Sequence, residues 1–116
     1  MMSSFYEIDK KLNFADYLIS QGGSESYSSA AFKHVLAAAT MLIQELTDLD
    51  DSSAKSPQIV TKTLKRFEET KAGEFSKFYI NILKLSARPE VPAAEVEQLI
   101  RKAREFMRWV EDQRVA

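Results

Sequence analysis

The chain has no cysteine, which excludes disulfides, thiol nucleophiles and cysteine-ligated zinc. Glycine and proline are scarce, three of each in 116 residues, and a turn-rich β-fold needs more of both. A single histidine means that any metal site would rest mostly on carboxylates. No apolar run approaches the roughly eighteen residues that span a bilayer. Neither sign of charge dominates. Sixteen basic and seventeen acidic residues leave a net charge of −1, so global electrostatics gives nucleic acid no special attraction. Met1 to Lys11 already mixes Glu7, Asp9, Lys10 and Lys11 into its apolar pattern, and a signal peptide is not expected there. A cytoplasmic chain without a membrane partner is the expectation.

Sequence motifs of catalysis are also missing. There is no Gly-x-Gly-x-x-Gly, no Walker motif and no Gly-x-Ser-x-Gly. Gly22-Gly23-Ser24 is too short to cradle a phosphate and reads as a helix stop. Asp48-x-Asp50-Asp51 is like the start of a calcium loop, but the glycine at its sixth position and the glutamate at its twelfth are lacking. It reads as a solvated loop. Neither a metal, a cofactor nor a catalytic residue is expected.

What the chain does have is helical periodicity. Phe5, Ile8, Leu12, Ala15 and Ile19 recur at steps of three and four, predicting a first helix over 4–20. Tyr6, Phe14, Tyr17 and Leu18 widen its apolar face. A second helix is predicted over 26–49, with Ala31, Val35, Ala38, Leu42, Leu46 and Leu49 inward. Phe32, Ala39 and Ile43 broaden that face, and such width belongs to the most central helix. Ser56-Pro57 is an N-cap followed by proline at the first helical position, opening a short third helix with Ile59, Val60, Leu64 and Phe67 and an end near Thr70. Lys71-Ala72-Gly73 reads as a weak hinge. A fourth helix over 74–87 carries Phe75, Phe78, Ile82 and Leu85, and a fifth over 92–113 carries Val96, Leu99, Ala103, Phe106 and Val110. The predicted fold is one all-α domain over residues 1–116, an up-and-down helical bundle of four to five helices.

Three groups of side chains bear on function. His34 falls on the flank of the second helix's stripe, where a boundary role is commoner than catalysis. Arg101, Arg104 and Arg108 share the face of the last helix opposite Leu99, and with Lys84 and Arg88 they are the candidate binding residues of a basic surface. Glu97 and Glu111 interrupt that face, as on a salt-bridged solvated helix. The aromatics Tyr6, Tyr17, Tyr27 and Phe32 exceed what a narrow seam requires. They fit either a wide core or a homodimer interface.

In pattern, most of the chain resembles the HEPN family. The resemblance rests on Phe14-Ala15-Asp16-Tyr17-Leu18 before a glycine stop and on the small-residue run Ser29 to Ala39. It is closest in Phe78 to Arg88, followed by a short break and Val96 to Phe106. It implies an up-and-down bundle, homodimerisation, and work alongside nucleotides, RNA or a nucleotidyltransferase-type partner. Active members are metal-independent ribonucleases with an Arg-x-x-x-x-His motif. Here His34 precedes every arginine, so that motif is absent. The expectation is therefore a non-catalytic homodimeric interaction module, or one associated with nucleotide or RNA. The alternatives are a ribonuclease toxin subunit using His34 with Lys84 or Arg88, and a structural bundle unrelated to this family.

Overall fold

Apolar residues three and four apart set every long element of the fold, and polar caps set where the shorter ones begin. The computed structural model describes residues 4–21, 25–67 and 70–115. Gly22-Gly23, expected to stop the first helix, lies outside them. Helix α1 (Ser4–Ser20) buries Ile8, Leu12, Ala15 and Leu18, with Phe5 and Ile19 half-buried at the edge. Helix α2 (Glu25–Thr47) buries Ala31, Val35, Ala38 and Leu42 along one line and Phe32, Ala39 and Ile43 along the next. Its wide face makes it the central helix, as its sequence predicts. It packs against α1 and against α6 (Ala93–Val115), which also meet each other. Paired alanines at the contact let neighbouring backbones approach closely.

The end of α2 is chemical rather than apolar. Asp48 takes the left-handed conformation with φ 59°, one that aspartate tolerates better than most residues, and its N–H donates to the Gln44 carbonyl. Asp50 then caps a single-turn helix, α3 (Asp51–Ala54), by accepting a 2.7 Å hydrogen bond from the Ser53 N–H. That bond holds the Asp50 carboxyl below its usual range. The sequence reading of this stretch as a plain loop is corrected by α3, whose Ala54 is fully buried.

Ser56 and Pro57 open α4 (Pro57–Leu64) as expected, with the Ser56 hydroxyl accepting from the Ile59 N–H. Val60 and Leu64 face the core, whereas Ile59 is exposed. The chain tightens into a 3-10 turn at Lys65–Phe67. Helix α5 (Thr70–Leu85) begins earlier than the sequence suggests, so Lys71-Ala72-Gly73 is its opening turn and not a hinge. Tertiary contacts outweigh the helix cost of Gly73 there. Ala72 is buried, and the Lys71 ammonium reaches Glu105 on α6 at 2.5 Å and Glu74 at 3.6 Å.

Helices α5 and α6 form the expected hairpin across 86–92. Val96, Leu99, Ala103, Phe106 and Val110 are all buried, as are Phe75, Ile82 and Leu85; Phe78 is half-buried. Large rings join the two helices. Phe106 stacks on Phe75 at 4.9 Å between centroids and tilts against Phe78 at 5.1 Å, while Trp109 meets Phe75 edge-on. Tyr79 is fully buried as well, with its hydroxyl 3.0 Å from Thr40 Oγ1. Thr40 already donates to the Leu36 carbonyl, so the tyrosine is the donor. The described residues thus form an all-α helical bundle, with α4 and α5 flanking α2. Among them no helix is long and apolar enough to cross a membrane.

Candidate functional site

Three surfaces collect the side chains that could act on something outside the bundle. The first is the outer face of α1. At about 100° per residue, Tyr6, Lys10, Phe14 and Tyr17 fall within an arc of about 80°. The bundle leaves Tyr6 54% exposed, Phe14 46% and Tyr17 56%. Phe14 and Tyr17 stack at 6.2 Å between centroids, and Lys10 Nζ lies 5.9 Å from the Tyr6 ring. On α2, Tyr27 is also exposed. Tyr6, Tyr17 and Tyr27 do not widen the core, as the first of the two sequence readings would have it, whereas Phe32, grouped with them in the sequence, is buried and does. The exposure of the tyrosines leaves the interface reading open.

His34 borders this face. It is half-buried, with its ring edge-on to Phe14 at 4.8 Å. Burial, then the nearby Lys11 charge, lowers its pKa, so the imidazole stays neutral to lower pH than a free histidine does. This is the boundary role its position predicts.

The second surface is the basic one. Arg101 is exposed and lies 3.8 Å from Glu97, one turn earlier, and Arg88 lies 3.9 Å from Glu95. Arg104 is different. It leaves the stripe for the α1–α6 seam, donating to Asn13 Oδ1 at 2.6 Å and lying 3.7 Å from Asp16. Lys84 and Arg108 are exposed and make no ion pair among the described residues. Arg88 shares a small cavity of about 210 Å³ with Lys33, Phe32 and Leu85, and His34 is not among its lining residues. The fold therefore gathers Arg88 with Lys33 rather than with His34.

Comparison with known protein families, characterised proteins and solved structures found no match to this chain. The residues must speak for themselves. Among the described residues, no three histidine, aspartate or glutamate side chains come together in a way that would hold a metal ion.

The third surface was not anticipated. Between α4 and α5 runs an open groove of about 530 Å³, floored by Leu64, Ala72, Gly73 and Ile80 and edged by Lys65 and Lys77. A second trough bounded by Pro57, Gln58 and Lys62 adjoins it, sharing Thr61 and Lys65. Its sequence signals are Gly73, whose meaning changes once it sits inside a helix, and the basic residues Lys62 and Lys65, which can extend a patch only if the fold brings them together with others. Lys62, Lys65 and Lys77 converge only because α4 folds back on α5, which no local pattern encodes.

Proposed function

We propose that this chain is a non-catalytic helical bundle of HEPN type whose work is association: with a second copy of itself, and through it with a nucleotidyltransferase-type partner or RNA. The observation that carries the reading is the exposed aromatic face of α1. Tyrosine and phenylalanine supply large contact area at little conformational cost, and exposed rings are enriched at the centres of protein interfaces. The face suits self-association. A net charge of −1 adds little repulsion between copies.

Light scattering on the purified chain at high micromolar concentration tests this. The expected result is a dimer, which Phe14→Glu with Tyr17→Glu converts to a monomer of unchanged helix content. A wild-type chain that remains monomeric would sink the dimer. The RNA-associated part rests on Lys84 and Arg108, which make no ion pair among the described residues, and is read by anisotropy of a labelled single-stranded RNA. The ribonuclease alternative has less behind it, since His34 faces Phe14 and Lys11 while Arg88 stands with Lys33.

A further inference from the structure

Gly73, exposed in the opening turn of α5, presents a contradiction. A glycine inside a helix costs about 1 kcal/mol relative to alanine, and close packing ordinarily explains its presence. Here it does not: a Cβ built on Gly73 would meet no atom within 4 Å. The space above it is the α4–α5 groove. The glycine keeps a shallow place open along α5 that the chain itself does not fill.

Two further features give that place a chemistry. Ser76, one turn on from Ala72, lines the same groove and is only 9% exposed, yet its hydroxyl has no hydrogen-bond partner among the described residues. Among the described residues no buried side-chain polar atom lacks a partner, so this hydroxyl is not itself buried: it opens to solvent through the groove, where a polar group of a ligand can reach it. The second feature is charge. Lys65 and Lys77 edge the groove and Lys62 stands in the adjoining trough; among the described residues none of them is in an ion pair and no acidic side chain lines either.

We infer that the α4–α5 groove docks an acidic amphipathic helix of a partner protein. Its apolar stripe lies over Leu64, Ala72, Gly73 and Ile80, its flanking carboxylates meet Lys62, Lys65 and Lys77, and a polar group reaches Ser76. A helix fits because the trough is open along its length and Ala72, Gly73 and Ser76 are small enough to admit a backbone at close range. The site lies on helices other than α1, so it stands or falls independently of the dimer.

The probe is a fluorescein-labelled 18-residue peptide with leucine and alanine at helical spacing and glutamate on its flanks. Its controls are the same composition in scrambled order and a version with lysine for each glutamate. Anisotropy on the full chain is expected to show binding of the acidic helix alone. Lys65→Glu with Lys77→Glu should weaken it by at least about tenfold. Gly73→Leu fills open space, keeps the circular dichroism of the folded chain, and should weaken binding equally. If Gly73→Leu unfolds the chain, Gly73→Ser serves in its place. The inference is overturned if the acidic peptide fails to bind at roughly millimolar concentration, if the scrambled or lysine peptide binds as well, or if binding survives both the charge reversal and the groove-filling substitution.

Discussion

Gly73 is where a single residue's local preference and its position disagree most openly. Its helical conformation is one that alanine adopts at lower entropic cost, and the added methyl group would meet nothing within 4 Å. Gly73→Ala should therefore raise stability by up to about 1 kcal/mol, seen as a higher urea midpoint at unchanged slope. A lowered midpoint would mean that the groove floor is tighter than its geometry indicates. Sequence alone reads Gly73 as a hinge because glycine breaks helices on average. Only the burial of Ala72 beside it and the reach of Lys71 to Glu105 keep the turn helical. Tyr79 was equally illegible. It lies off the strict stripe of α5, and its acceptor, Thr40, is 39 residues away. His34, by contrast, was readable from angle alone, since a flank position on a helix is a boundary position wherever the neighbours are.

At the scale of an element, α6 is the best-read part of the chain, and its arginines mark the limit of such reading. Helical angle assigns Arg101, Arg104 and Arg108 to one outward face, but not which of them leans towards a neighbouring helix. Arg104 does, joining α6 to α1 through Asn13 and Asp16, whereas Arg101 pairs only within its own helix. Arg104→Gln should accordingly cost more stability than Arg101→Gln and Arg108→Gln combined. All the losses should stay within about 1 kcal/mol, since these groups are partly solvated. Urea unfolding of the single and double variants checks the order. If Arg101→Gln with Arg108→Gln proves the more damaging, those two side chains do more than face water. The caps show the same division between local and distant. Ser56-Pro57 was legible because its chemistry is contained in four residues, while α3 was missed because a one-turn helix offers too few positions for a period to show.

For the molecule as a whole, the helices are not held equally. Helices α1, α2 and α6 pack on one another at close range, whereas α5 meets α6 through rings: Phe75, Phe78 and Phe106, with Trp109 at the edge. Phe106→Ala should destabilise the chain by about 3 to 5 kcal/mol. It should also act unevenly, with amide exchange accelerating in α5 before it does in α1 and α2. Uniform acceleration would show that the bundle opens as one unit. The all-α architecture and most of the core were visible in the apolar stripes, because burial imposes a period on the sequence. The α4–α5 groove was not, because a groove is made by what two separate helices leave unfilled between them.

That ring cluster has a practical consequence. Trp109 is the chain's only tryptophan, and it stands edge-on to Phe75 of α5 and to Phe67 just past α4. The protein therefore carries a single built-in optical reporter, placed where α4, α5 and α6 converge and on none of the aromatic positions of α1. A shift in its emission would register events on one flank of the molecule while staying silent to pairing through the other.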